Sequence, residues 1–443
     1  MIPGRERRAA RLSGCSALLL LAVGSLCGCG GEDAGTTLTF WAMGREGEVV
    51  QELVRDFEEH NPRIAVDVQQ IPWSAAHEKL LTAFVGRSTP DLTQLGNTWV
   101  AEFAALEALA PLGARAAASV TVDAGRYFSG IWDTNLIAGE LYGIPWYVDT
   151  RVLFYRADIL EEAGYSEIPD TWTEWRRASE AVKRTVEPGD YALFLPVNEW
   201  TQPVIFGLQA GSSLLKENAT RGAFSEPEFR RAFEFYVDFF REGLAPPVAN
   251  TEIANVYQEF ARATFSMYIT GPWNLGEFRR RLPDDLQDDW STAPLPGPGV
   301  SGPGVSLAGG SSLVLFERSR HKDEAWRLIE FLSRPEQQAR FYHLTGDLPA
   351  RVEAWDDPQL KSDPAAAAFR RQLEHVVPTP KIPEWEQIAA RIQERAEEAV
   401  RGAATPAEAL AALDSDVDRI LAKRRWLLER GLIPGAGDVA AAP

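Results

Sequence analysis

The 443-residue chain is short of the residue types that carry much of protein chemistry: three cysteines, three methionines and five histidines. All three cysteines (Cys15, Cys27, Cys29) fall near the start, so the rest of the chain can form no disulfide and no cysteine metal site. The histidines (His60, His77, His321, His343 and His375) lack H-E-x-x-H spacing, and no G-x-S-x-G elbow occurs. Basic residues are also in deficit, 45 against 63 acidic ones, for a formal net charge of −18. Binding phosphates in bulk needs a basic face, so a nucleic-acid partner is excluded. Long apolar runs are missing too. The longest, "ALLLLAVGSL" from Ala17 to Leu26, falls short of the ~20 apolar residues that span a bilayer. No tandem repeat is present.

The content that remains is that of a soluble globular protein, 45% hydrophobic and 24% charged, long enough for two lobes or a few domains. Fourteen tryptophans exceed what a core requires and leave room for a binding role. Residues 1–28 read as a leader: Arg5, Arg7, Arg8 and Arg11 form a basic segment ahead of the short apolar run. The "LCGC" that ends it resembles the bacterial lipoprotein lipobox, with Cys29 as the residue to be lipidated. Cys27 stands where a small aliphatic or hydroxyl residue is more usual. Residues 29–35 are then a polar tether, and the expected location is periplasmic or extracytoplasmic, anchored to the membrane by lipid.

"TLTFWA", the helical spacing of Val50, Leu53, Val54 and Phe57, and "IAVDVQQI" make a βαβ unit, which implies a parallel sheet and an α/β fold. "PDLTQL" reads as a further strand. Thr171 with Glu174, Ser225 with Glu228, and Ser333 with Glu336 have capping-box spacing. Phe229, Phe233, Tyr236 and Phe240 share one helix face and are expected in the core. "FSMYIT" alternates like a strand, is stopped by Gly271-Pro272, and leaves Trp273 directly after the break. The tail from 435 to 443 has no periodicity.

Four stretches in order, "GIPWYVDTRVLFYRADILEEAG", "MYITGPWN", "SLAGGSSLVLFERSRHKDEAWRLIEFLS" and "GDLPAR", resemble extracellular solute-binding proteins of the maltose-binding type. These are the receptors of carbohydrate ABC importers. The resemblance implies a two-lobed α/β periplasmic-binding-protein fold, with hinge-linked lobes and a ligand cleft between them. Its three chain crossings fall near Asp149 to Val152, near Ser291 to Pro296 and near Leu328 to Ser333. The first lobe would be 36–149 plus 296–329, the second 151–291 plus 332–443. The implied function is capture of a sugar, a di- or oligosaccharide, and its delivery to ABC permease transmembrane subunits by a monomer that is not an enzyme. No cofactor or metal is implied.

A sugar presents apolar C–H faces that stack on aromatic rings and a rim of hydroxyls that both donate and accept. Strand ends supply the candidates for meeting both. After the first strand come Trp41, Met43, Arg45 and Glu46. The resemblance gives Glu46 a hydroxyl-binding role, although it also suits a solvated helix N-terminus. Asn97 and Trp99 follow "DLTQL". Tyr147 and Asp149 share one face of an extended segment, where the family places an acidic sugar ligand. Trp200 follows "LFLPVNE" as a stacking platform, and Trp273 follows Gly271-Pro272 in the same role. Gly310 and Ser311 look like a site of close backbone approach, or else a strand bulge. Arg351 matches an arginine that bonds sugar in several relatives, or else makes a surface salt bridge. Three rival readings remain: a glycosidase built on the acidic pair, a receptor for a polyol phosphate such as glycerol 3-phosphate, and a sugar sensor that does not transport.

Overall fold

The computed structural model describes residues 35–299 and 302–433. The lipobox with Cys29, the leader and the tail from 435 onward lie outside the described residues. Ten strands in two sheets set the frame. The first sheet holds β1 (Thr36–Met43), β2 (Ile64–Ile71), β3 (Leu92–Gly96), β4 (Ile144–Asp149), β9 (Gly309–Leu315) and β10 (Leu348–Pro349), in the order β10-β4-β9-β3-β1-β2. The second holds β5 (Val152–Arg156), β6 (Tyr191–Phe194), β7 (Phe265–Thr270) and β8 (Trp290–Ala293), in the order β8-β5-β7-β6.

β1 pairs in parallel with both β2 and β3, the βαβ arrangement that the helix Gly44–His60 allows. β1 is covered on both faces: Leu38 and Phe40 enter one apolar cluster, Trp41 and Met43 another. Trp41 and Met43 are thus core residues inside the strand, not parts of a loop after it. β9 runs antiparallel between β3 and β4, with a register shift between Ser311 and Ser312. In the second sheet all six residues of β7 are buried, because β5 and β6 flank it and apolar clusters cover both faces. The polar members of its alternating pattern are therefore inside as well.

Thr171 caps its helix, accepting from the Glu174 N–H at 3.2 Å. Ser225 and Ser333 do not cap theirs. Pro227 and Pro335 occupy the first helical position, so the caps fall at Glu226 and Arg334. Phe229, Phe233, Tyr236 and Phe240 are buried in the core of the second sheet, beside Trp175, Trp385 and Leu410.

The first sheet's β4 ends at Asp149 and the second sheet's β5 begins at Val152. The chain leaves the second sheet after Ala293 and rejoins the first at Gly309. A crossing near Leu328 to Ser333 does not occur. Helices Lys322–Leu332 and Pro335–Thr345 both pack against helix Gly44–His60, and β10 pairs with β4, so the chain stays with the first sheet through Pro349. It returns to the second with helix Pro364–Gln372, which packs on β8 and β5. Apolar partners decide this: Leu328, Phe331 and Phe341 bury against Phe57 and Trp146 of the first sheet's core.

Candidate functional site

A cavity of about 520 Å³ opens among the ends of these strands. Its lining draws on both sheets: Glu46, Asn97, Trp99, Tyr147, Asp149, Gly310, Ser311 and Asp347 from elements of the first, Trp200, Trp273 and Glu277 from elements of the second. Nine of the ten expected side-chain positions are brought together here. The tenth is not.

Glu46 stands in the first turn of the helix that follows β1, yet it is buried. The Tyr147 hydroxyl donates to its Oε1 at 2.8 Å, and the Trp73 indole N–H donates to the same atom at 3.3 Å. The Tyr147 oxygen in turn accepts from Gln94 Nε2 at 2.9 Å and from the Ser311 hydroxyl at 3.0 Å. Gln94 is itself held by the Met43 N–H, which donates to its Oε1 at 2.7 Å. This is a satisfied buried network, and such networks fix geometry. The solvated-helix reading of Glu46 is ruled out by its burial and its partners.

The acids of the site carry the mark of that burial. Desolvation pushes the Glu46 carboxyl up, against hydrogen bonds from its own backbone N–H and from Tyr147 and Trp73 that hold it down. Asp347 is pushed well above its ordinary value, first by desolvation and then by the charge of Glu46. Asp149, half-buried, is raised by desolvation, while the guanidinium of Arg151 holds it down. The phenol of Tyr147 stays protonated far above neutrality, chiefly because it is buried.

Other expected residues are in place with part of their capacity already used. The Asn97 amide donates to the Thr134 hydroxyl at 2.7 Å, and its oxygen accepts from Ser312 at 3.0 Å. Trp99 meets Trp73 edge to face at 5.8 Å and His77 at 5.1 Å. Trp200 sets its ring edge-on to Trp385 at 5.5 Å. Gly310 has φ of 142°, and a Cβ there would run into the β4 backbone at Tyr147, with Val148 Cα only 3.1 Å away. The close approach that requires this glycine is that of β4 on β9, beside the register shift.

Arg351 lies outside the cavity lining and is fully buried. Its Nη1 donates to the Thr121 and Ser333 carbonyls at 2.8 and 3.0 Å, and its Nε to Glu353 at 3.0 Å. It does make the ion pair that the alternative reading expected, with the partly exposed Glu353, but its own guanidinium is buried and away from the cavity. The short β10 turns the "GDLPAR" stretch so that its acid, Asp347, reaches the cavity and its arginine fastens the fold. Asp347 was legible as the only acid of that quoted stretch. Arg151, another lining residue outside the expected set, was legible as a charge directly between two apolar strands. Trp73 and Glu277 are further lining residues outside the expected set. Trp73 begins a helix and Glu277 lies within one, and nothing in the local sequence of either distinguishes it from a surface residue.

The family model described as "Bacterial extracellular solute-binding protein" matches residues 42–339. The sugar-binding protein MalE from the phytopathogen Xanthomonas citri is a structural neighbour at 51% identity and a TM-score of 0.85, covering 89% of this chain and 99% of its own. Among sequence relatives, the diacetylchitobiose binding protein DasA of Streptomyces coelicolor is 25% identical over 82% of this chain and 87% of its own. The maltotriose-binding protein of Pyrococcus abyssi is 25% identical over 79% and 73%.

Proposed function

The chain belongs to the bacterial extracellular solute-binding proteins and has their two-lobed fold of the maltose-binding type, and we propose that it captures a di- or oligosaccharide for an ABC permease. One observation carries the reading. Four partly exposed indoles, Trp73, Trp99, Trp200 and Trp273, line a cavity whose charged groups are four acids, Glu46, Asp149, Glu277 and Asp347, and two arginines, Arg45 and Arg151. Indoles match the C–H faces of a sugar. Carboxylates match its hydroxyls through charge-assisted bonds of about 1.5–3 kcal/mol each.

The lobes in this reading are the elements of the first sheet and those of the second, and ligand binding draws them together about the two strands that meet at Asp149 and Val152. The binding residues are Glu46, Asn97, Trp99, Tyr147, Asp149, Trp200, Trp273, Gly310 and Ser311, joined by Asp347. A polyol phosphate is the weaker ligand class: a dianion needs converging arginines, and of the two that line the cavity Arg151 is paired with Asp149 and Arg45 donates to the Leu344 carbonyl, while Arg351 is committed elsewhere and four acids, Glu46, Asp149, Glu277 and Asp347, line the same space. The protein acts without catalysis, as a monomer outside the cytoplasmic membrane, tethered by lipid on Cys29.

A thermal-shift panel of maltose, maltotriose, trehalose, sucrose and glycerol 3-phosphate on the leaderless protein tests the ligand class. A sugar present at 100 times its Kd adds about 2.7 kcal/mol to stability. A shift with glycerol 3-phosphate and with none of the sugars would falsify the reading. Maltotriose incubated with the protein should be recovered intact, and a Cys29→Ser chain should leave the membrane fraction.

A further inference from the structure

Trp273 is the first residue of the helix Trp273–Arg281, directly after Gly271-Pro272. Its indole is partly covered and partly open, 37% exposed. One face lies over the Gly271 backbone, where an added Cβ would collide with Cζ3, Cη2 and Cε3 of the ring. Over the ring also sits the guanidinium of Arg151, 4.6 Å from the ring centroid. The same guanidinium pairs with the carboxylate of Asp149 through Nη1. Arg151 is also fixed at its root. Its N–H donates to the Ser306 hydroxyl at 3.1 Å, and that hydroxyl donates to the Arg151 carbonyl at 2.9 Å.

We infer that Arg151 is the positioning residue of the cleft: it joins the Asp149 carboxylate at the end of β4 and the Trp273 indole at the end of β7 into one unit. Asp149 belongs to the first sheet and Trp273 follows the second, so this cation ties the two halves of the site together before any ligand arrives. The arriving sugar meets a paired acceptor and the exposed part of an indole, both already set. This deepens the sugar-binding reading and rests on it for the identity of the ligand.

The charge argument has a definite sign. Asp149 faces Arg151, Glu199 from the segment after β6, and Asp347 beside β10. Burial and the two acids favour the protonated carboxyl, and Arg151 opposes them. Removing Arg151 moves the Asp149 carboxyl further up, so the hydroxyl acceptor is lost as pH falls, and at a higher pH than in the wild type.

Two readouts test this, the first without any ligand. The emission of Trp273 is isolated as the difference between each protein and its Trp273→Phe partner, and its quenching by acrylamide is measured. Arg151→Ala and Arg151→Gln should make that component more quenchable; unchanged quenching in both overturns the cover. In the second, maltose and trehalose affinities are measured by calorimetry from pH 5 to 8. Arg151→Ala should lose about tenfold or more at the acid end and recover as pH rises. Arg151→Lys, which keeps the charge and loses the planar group, should show the wild-type pH profile with a more quenchable indole. A loss equal at every pH and not relieved by lysine overturns the positioning role. If wild-type protein binds neither sugar, the ligand assignment fails, and the quenching result still decides the place of Arg151.

Discussion

The two walls of the cleft share indoles but differ in what lies behind them. The wall from the first sheet carries Trp73 and Trp99 and also a buried polar network: Glu46, Tyr147, Gln94 and Ser311 form a closed set of hydrogen bonds, with buried Asp347 beside them. The wall from the second sheet is aromatic and partly open: Trp273 is 37% exposed, and half-buried Trp200 makes a T-shaped contact with Trp385. The polar groups of the first wall already bond one another, so a ligand hydroxyl meets acceptors and donors fixed in place on folding. The aromatic wall still has apolar surface to bury, and that gain comes only when ligand is present. Under the proposed sugar-binding role, the polar network would favour selection and the exposed indoles would favour closure.

Removing the open wall should give the largest effect on binding. The double variant Trp200→Ala, Trp273→Ala should lose about 2 kcal/mol or more of sugar affinity, some thirtyfold by calorimetry, with both sheets still folded by circular dichroism. Unchanged affinity would mean the aromatic wall contributes no binding energy.

Breaking the polar wall should act on the fold first. Tyr147→Phe leaves Glu46, Gln94 and Ser311 each short of a partner, and denaturant unfolding should register a loss of about 1–3 kcal/mol. A loss confined to affinity, with stability intact, would show that the network belongs to the ligand and not to the fold.

Asp347 sharpens the contrast through pH. Its native carboxyl titrates well above its ordinary value of 3.8, so between the two values the native state holds a proton that the unfolded state has released. Stability then falls as pH rises through that window. Asp347→Asn removes this penalty. The variant should melt at a higher temperature than the wild type at pH 7, with the gain vanishing below about pH 4, while sugar binding weakens. A lower melting temperature at pH 7 would count against a burial penalty at this site. The smallest effect on binding belongs to Arg351→Met. It should destabilise the fold by removing donors to Thr121 and Ser333, while sugar affinity stays within about twofold, inside the range of a residue without ligand contact.

Local pattern accounts for much of what could be read in advance. The βαβ start, the strand Phe265–Thr270 with its Gly-Pro stop and the aromatic face of helix Pro227–Arg241 follow from periodicity and breakers, which act over a few residues. The caps at Ser225 and Ser333 were misplaced by one residue, because proline's preference for the first helical turn outweighs the capping pattern. Strand ends supplied most of the site for the same local reason: in open sheets, ligands gather where strands stop.

What the sequence determined by itself is the α/β class and the strand-end positions of Glu46, Trp99, Tyr147, Asp149 and Trp273. Each depends on neighbours in the chain. Only the tertiary structure decided that Arg351 is a buried fastener and Asp347 the acid at the cavity. Only it decided that the chain stays with the first sheet through Pro349, and that Arg151 lies across Trp273. These depend on which long-range partners cover an element, since an arginine's side chain goes where unsatisfied carbonyls or carboxylates lie. The carbonyls that hold Arg351 come from Thr121 and Ser333, brought together by folding alone.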